Sequence, residues 1–257
     1  MNACALVFRR MSGHSKWSQI KRQKGAADVR RGNLFTKMTR EIMIAAKEGG
    51  GNPDANFRLR LAMDRARSVN MPKDSIQRAI DRATGGLEGT QLETVLYEAY
   101  GPAGVSIMVE ATTENRNRTA SEVRATLTRH GGKLGESGSV QWLFEQKGVI
   151  EVDAARGAAD DVELAAIDAG AEDVETDKGL VTVYTNPRDF EKVKRALEAG
   201  GIKAASAELS MRPTSTVRVE GDAAQKVLRL VEALEELDDV QKVHANFDIP
   251  EEVLAAV

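Results

Sequence analysis

The chain has 257 residues, of which 42% are hydrophobic and 4% aromatic, so we expect one to three domains with aliphatic cores. A single cysteine excludes a disulfide framework and favours the reducing cytoplasm, and no run approaches the roughly 18 apolar residues of a membrane span. Residues 1–84 hold 18 basic and 7 acidic side chains, a charge of +11, whereas residues 85–257 hold 18 and 32, a charge of −14. Such segregation is typical of a protein that directs one face at a polyanion.

The first 32 residues are predicted to lie outside any compact core. We interpret residues 1–11 as an extension, because its arginines follow its apolar run, which is the wrong order for a secretory signal. An upstream start codon, with Met11 as the working start, is favoured over a short organelle presequence. Residues 12–32 are basic with scattered apolar side chains, and such a segment cannot bury enough surface to offset its own ordering. They are predicted to form a mobile basic arm with one aromatic residue, Trp17.

Three one-sided apolar stripes predict a small helical bundle, which together with the arm forms a domain at 12–86. The first helix is predicted to begin at the N-cap Asn33 and to end at Gly49. The second is predicted to begin at Pro53 and the third at Pro72, since proline is favoured at the first position of a helix.

Beyond Gly86 the apolar pattern alternates between strands and helices. Residues 146–211 show the order strand, helix, strand, strand, helix, strand, which is the split βαβ order of a ferredoxin-like domain. The segments 87–145 and 212–247 each resemble half of a second such unit, so we predict one discontinuous α/β domain into which 146–211 is inserted, followed by a tail at 248–257. The predicted fold class is α+β: a three-helix bundle and two α/β domains, the third inserted into the second.

No catalytic centre can be assembled from the residue inventory. The chain lacks a P-loop, a dinucleotide-binding glycine pattern, a nucleophile elbow and zinc-type ligand spacing. Its three histidines, His14, His130 and His244, lie in different segments. The acidic run at 235–239 is interpreted as a solvated helix end rather than a cation site. We therefore predict a protein without enzymatic activity, cofactor, metal ion or small-molecule substrate.

The basic elements predict contact with nucleic acid. Cationic side chains on an arm and on two helices can each neutralise a phosphate and release its counterions, and Trp17 among lysines is typical of base stacking. The alternative for any single helix is a merely solvated basic face. The residues that we predict to bind nucleic acid are His14, Lys16, Trp17, Lys21, Arg22, Lys24, Arg30, Arg31, Lys37, Arg40, Arg58, Arg60, Arg65, Arg67, Arg116 and Arg118.

The last two of these residues lie at a predicted strand-to-helix junction. Positive side chains at a helix N-terminus oppose its dipole, so Arg116 and Arg118 indicate an anionic partner. The neighbouring Asn115 and Asn117 are explained equally well as helix caps. The sequence leaves both interpretations of this junction open.

Several short motifs, in order along the chain, resemble the YebC family. They are GHSKW at 13–17, RG at 31–32, FTK at 35–37, NFRLR at 56–60, NMPK at 70–73, YGP at 100–102, ENRNRT at 114–119 and DDVQ at 238–241. The resemblance runs from Met11 nearly to the C-terminus and implies a cytoplasmic protein with a helical domain and two α/β domains. Bacterial members are described as DNA-binding transcriptional regulators, and the mitochondrial branch is a translational activator of cytochrome oxidase.

Two functions therefore compete at this stage. The first is a DNA-binding transcriptional regulator, and the second is a ribosome-associated factor that binds RNA and aids synthesis of proline-rich stretches, as the resemblance implies. Against the first, no short turn precedes a clear recognition helix, and the third predicted helix carries few side chains that could read bases. The partner in both cases is nucleic acid, DNA or ribosomal RNA, and not a membrane.

Overall fold

The computed structural model describes residues 28–85, 92–154 and 158–250. Of the predicted nucleic-acid contacts, His14, Lys16, Trp17, Lys21, Arg22 and Lys24 lie outside the described residues, as do the side chains of Arg30 and Arg31. No helix within the described ranges is long and apolar enough to cross a membrane.

Three helices form the N-terminal bundle: α1 (Asp28–Gly49), α2 (Phe57–Ser68) and α3 (Lys73–Thr84). Helix α1 begins before the predicted cap Asn33, so residues 28–32 are helical and do not belong to the arm. Continued backbone hydrogen bonding across this segment outweighs the cost of about 1 kcal/mol for Gly32 in a helix. Thr36 Oγ1 also donates to the Gly32 carbonyl oxygen (3.1 Å).

Helix α2 begins four residues later than predicted because Asn56, not Asn52, is its cap. The Asn56 Oδ1 accepts a hydrogen bond from the Leu59 amide (3.0 Å), and its Nδ2 donates to the carbonyls of Ala45 (2.7 Å) and Gly50 (2.8 Å). One buried side chain thus provides hydrogen-bond partners for backbone groups at the start of α2 and at the end of α1. It sets the angle at which the two helices meet around their shared aliphatic core.

The second domain consists of β1 (Glu93–Tyr100), β2 (Ser106–Thr113), α4 (Arg116–Arg129), β3 (Lys133–Leu134), α7 (Gly221–Glu235) and β9 (Val240–Ala245). Its strands form an antiparallel sheet in the order β3-β1-β2-β9, covered by the two helices, and its core contains Val109, Leu127 and Leu230. The prediction omitted β1, since its apolar pattern is irregular.

The third domain consists of β4 (Phe144–Asp153), α5 (Ala159–Ala169), β5 (Asp173–Asp177), β6 (Leu180–Thr185), α6 (Phe190–Ala199) and β7 (Ser206–Pro213). Its strand order is β5-β6-β4-β7, with every neighbouring pair antiparallel, which is the ferredoxin-like arrangement. Its two helices lie over the buried Ile150 and Val183.

Strand pairing joins the two halves of the second domain across the inserted third domain. Ile107 of β2 lies opposite Ala245 of β9, and a parallel pair, β8 (Val217–Arg218) and β10 (Phe247–Asp248), lies beside it. The predicted fold class is thereby confirmed. Ile249 is buried in the core of the second domain, so this core extends into the segment predicted as a tail. The other domain limits stay predictions.

Gly148 of β4 provides a test of the third domain's packing. A Cβ atom at this position would lie 2.3 Å from both Phe190 Cδ2 and Thr185 Oγ1, which are fully buried. We expect Gly148→Ala to lower the free energy of unfolding by about 1–3 kcal/mol, the usual cost of overpacking a core. Urea unfolding measures the change. Gly32→Ala is the control, since that position has open space around it and alanine favours the helix there. A Gly148 variant as stable as the Gly32 variant would contradict the packing.

Candidate nucleic-acid interface

The two basic side chains predicted on α1 contact the second domain. Lys37 Nζ donates to the Glu235 carbonyl, and Arg40 donates to the Asp238 carbonyl and forms an ion pair with Asp239 (3.1 Å). These groups lie at the end of α7 and in the turn before β9. Helix α1 is therefore held against the acidic run at 235–239, and these two cations have partners within the chain.

Asp239 is the centre of a buried polar cluster. Its side chain is only 2% exposed and accepts hydrogen bonds from Thr119 Oγ1 (2.6 Å), Arg118 (2.7 Å) and Thr113 Oγ1 (3.1 Å). Burial by itself would raise the pKa of Asp239, but these donors and the charge of Arg40 outweigh it, so the pKa is lowered. The acidic run at 235–239 is thus not simply a solvated helix end, because its last carboxylate, that of Asp239, is buried and hydrogen-bonded.

The 114–119 motif provides the cap of α4 and an ion pair within the chain. Asn115 caps α4, with its Oδ1 accepting from the Arg118 amide (3.1 Å). The anionic partner of Arg118 is Asp239 of the same chain. Arg116 is exposed, with Glu93 3.8 Å away, and remains accessible to a ligand. The two motifs ENRNRT and DDVQ therefore form one contact, to which Arg40 of α1 adds a third element.

The four arginines predicted on α2 also have carboxylate partners. Arg58 and Arg65 are seven residues apart and pair with Glu48 and Glu41, which have the same spacing on α1. The other two have partners on α6 and on α2 itself: Arg60 pairs with Glu191, and Arg67 with Asp64 (3.0 Å).

Arg65 belongs to a cluster at which all three domains meet. Glu208 of β7 lies 3.4 Å from Arg65 and 3.0 Å from Lys242 of β9, and Glu110 of β2 bonds His244 of β9 (2.8 Å). Burial would raise the pKa of Glu208, but the charges of Lys242 and Arg65 lower it strongly. The junction cluster, as we call it, consists of Glu41, Arg65, Glu110, Glu208, Lys242 and His244.

Apolar contacts reinforce this docking of α2 on the third domain. The ring of Phe57 meets that of Phe190 edge to face, with centroids 5.6 Å apart, and Leu61 packs against the third domain's core. Arg60 lies over the Phe57 ring. The helix that the sequence suggested as a nucleic-acid surface is therefore largely an interdomain helix.

Helix α3 exposes three cations that were not predicted to bind nucleic acid. Lys73, Arg78 and Arg82 are exposed, together with Gln77 and the carboxylates of Asp74 and Asp81. None of the three cations forms an ion pair with any described residue. They could have been found from the sequence, because they occupy the positions left over by the apolar stripe.

A short turn also leads into this helix, contrary to the expectation. Four residues, 69–72, connect α2 to α3, with Asn70 in the left-handed region (φ 60°) and Met71 buried. Asparagine tolerates this conformation better than other non-glycine residues, which explains how so tight a turn forms without glycine. Helix, short turn and helix thus follow one another here, which is the order of elements in a helix-turn-helix unit.

Two family models match the chain over most of its length. The model for the TACO1/YebC protein N-terminal domain matches residues 15–86, and that for the TACO1/YebC second and third domain matches residues 92–247. The chain belongs to the TACO1/YebC family. The division between these two models falls between α3 and β1, where the helical bundle ends.

Relatives in this family carry a regulatory name. Proteins from Rubrobacter xylanophilus and Dictyoglomus thermophilum, both called "Probable transcriptional regulatory protein", are 55% and 51% identical over 96% of this chain, and cover 99% and 100% of their own lengths. The crystal structure of a conserved hypothetical protein from Aquifex aeolicus is similar with a TM-score of 0.82 and 50% identity, covering 88% of this chain and 94% of that one. These names support a regulatory role for this member of the TACO1/YebC family.

Proposed function

We propose that this TACO1/YebC protein is a non-enzymatic regulator that binds duplex DNA in the cytoplasm through α3 and the N-terminal arm. The observation that carries the proposal is the exposed face of α3, with Lys73, Gln77, Arg78 and Arg82, behind a four-residue turn. In helix-turn-helix proteins the second helix enters the major groove and its first residues contact base edges. Arginine, lysine and glutamine are the side chains that read guanine and adenine there.

The arginines that already have carboxylate partners limit which residues can form the proposed surface. A cation that already holds a carboxylate gains less from a phosphate, since the existing ion pair must be broken first. Arg40, Arg60 and Arg65 pair with carboxylates of the acidic domains, and Arg58 and Arg67 pair with carboxylates of the bundle itself. The proposed surface therefore uses the arm, α3 and the exposed Arg116. The proposed surface is therefore smaller than the whole basic segment and lies away from the interdomain contacts.

The experiment reverses three charges on α3. Lys73→Glu, Arg78→Glu and Arg82→Glu together are expected to weaken binding to a 30-base-pair duplex by at least about a hundredfold at 50 mM salt. They should also reduce the slope of log affinity against log salt by about three, because each phosphate contact contributes roughly 0.9. Fluorescence anisotropy measures both quantities.

The matched control makes the same charge change elsewhere. Lys203→Glu, Lys226→Glu and Arg229→Glu lie on exposed parts of the two α/β domains and should change affinity by less than about threefold. An equal loss in both triple variants would show that net charge alone governs binding and would contradict a site on α3.

One observation favours the second function, an RNA-binding factor in translation. Trp142 follows a loop held by three backbone amides that donate to the buried Glu98 carboxylate, and its side chain is 72% exposed. An indole presented in this way can stack on an unpaired RNA base. A sequence-specific regulator should prefer one selected duplex over bulk DNA by more than about a hundredfold. Without such a preference, co-sedimentation with ribosomes that Trp142→Ala abolishes would assign the RNA function instead.

A further inference from the structure

Helix α5 of the third domain exposes two large aliphatic side chains. Leu164 is 62% and Ile167 54% exposed, and besides Trp142 they are the large hydrophobic residues in the described ranges that solvent reaches to this extent. They are three residues apart, so they lie side by side on the helix surface. The opposite side of α5 buries Val162 and Ala166, so the fold does not need the exposed pair for its core.

Carboxylates surround this pair. Residues 158–177 contain eight Asp or Glu and no Lys or Arg. At 100° per residue, Leu164, Ile167 and the four acidic residues of α5 fall within an arc of about 160°. These four are Asp160, Asp161, Glu163 and Asp168.

The four carboxylates differ from several other acidic groups of the third domain, which have cationic partners. Glu191 and Glu208 pair with α2, and Asp173 and Glu175 with Arg212. Among the described residues, none of the four on α5 forms an ion pair. Helix stability explains Asp160 and Asp161, which lie in the first turn, but Asp168 lies near the C-terminus, where a negative charge opposes the helix dipole.

We propose that this face of α5 docks a cationic amphipathic segment of another protein. The segment's apolar side chains would cover Leu164 and Ile167, and its lysines or arginines would approach the surrounding carboxylates. A nucleic acid does not fit, because its phosphates would meet uncompensated negative charge. A second copy of the chain does not fit either, since a twofold contact through this face would oppose like charges.

The test uses a labelled 18-residue helical peptide of leucine and lysine, with leucine at helical spacing on one face. We expect the full chain to bind it with micromolar affinity, because so small a patch supports only a transient complex. Leu164→Ser with Ile167→Ser should weaken binding at least about tenfold while leaving the thermal unfolding midpoint unchanged, since both side chains are exposed. Fluorescence anisotropy and circular dichroism provide the two measurements.

A second variant tests the charge. Asp160→Asn, Asp161→Asn and Asp168→Asn should also weaken binding about tenfold and flatten its salt dependence. The control removes three exposed carboxylates elsewhere, Asp74→Asn, Glu114→Gln and Asp222→Asn, and should bind as the wild type does.

Three outcomes would overturn the proposal. The first is unchanged binding in the Leu164 and Ile167 variant, and the second is an equal loss in both charge variants. The third is concentration-dependent self-association of the wild type in sedimentation that the Leu164 and Ile167 variant abolishes, which would assign the face to a second copy. None of these results depends on whether α3 binds DNA.

Discussion

Replacing Asp239 by alanine is expected to lower the free energy of unfolding by about 2–3 kcal/mol, because buried donors would lose the carboxylate that accepts their hydrogen bonds. The Asp239 side chain is 2% exposed and has partners from three elements, including Arg40 and Thr119. Alanine would leave the buried hydroxyl of Thr119 without this acceptor and would remove the ion pair between Arg40 of α1 and the turn before β9. Chemical unfolding of the full chain, monitored by circular dichroism, measures the loss.

The neighbouring residue provides the control. Asp238 is exposed, and its contact with Arg40 uses the backbone carbonyl, so Asp238→Ala should change stability by less than about 0.5 kcal/mol. Equal losses at the two positions would contradict the buried cluster. This comparison separates the stability that the buried Asp239 carboxylate provides from any effect of the negative charge of residues 235–239 as a whole.

The lowered pKa of Asp239 adds a pH dependence to this prediction. A carboxyl whose pKa is lower in the folded state stabilises the fold fully above its unfolded pKa of about 3.9, and this contribution is lost as pH falls through the folded value. The wild type should therefore lose its advantage over Asp239→Ala progressively below about pH 4. A stability difference that stayed constant down to pH 2 would mean that Asp239 acts by packing alone.

Replacing Arg65 by glutamate is expected to loosen the contact between the bundle and the two α/β domains. The new carboxylate would lie beside Glu41 and Glu208, each now 3.4 Å from Arg65. The side chains of Arg65 and Glu208 are 36% and 37% exposed, so solvent screening limits the loss to about 2 kcal/mol. Thermal unfolding measures stability, and small-angle X-ray scattering should report a larger radius of gyration.

A control and a rescue make this second prediction specific. Arg67 lies on the same helix, and its one ion-pair partner among the described residues is Asp64 of α2, so Arg67→Glu should cost less than about 0.5 kcal/mol. Adding Glu41→Lys to Arg65→Glu restores an attractive pair, leaves Glu208 paired with Lys242, and should recover at least half of the lost stability. Failure of the rescue, together with an equal loss at Arg67, would contradict the junction cluster.

The junction cluster explains part of the uneven distribution of charge along the chain. The +11 of residues 1–84 suggests a surface for an external polyanion, yet three of its arginines pair with carboxylates of the two acidic domains. Electrostatic complementarity between domains favours one docking arrangement over others. Part of the positive charge therefore holds the domains of the chain together, and only the remainder is available to a ligand.

Local patterns were sufficient to predict the third domain. Its helices and strands alternate with clear apolar periods, and each strand pairs within 70 residues, so the ferredoxin-like order follows from the sequence. The strand β1 could not be found in this way, because its register depends on β2 and β3 rather than on its own irregular pattern. The start of α2 was missed for a similar reason, since the bonds that Asn56 makes to Ala45 and Gly50 require α1 to be in place.

The sequence by itself determined the family motifs, the fold class and the concentration of positive charge near the N-terminus. Only the tertiary structure decided which of those charges are free. Arg40 lies 199 residues before Asp239, and Arg60 lies 131 residues before Glu191, so no local pattern links either pair. Charge is a property of each residue, whereas its availability to a ligand depends on what folding places within about 4 Å of it.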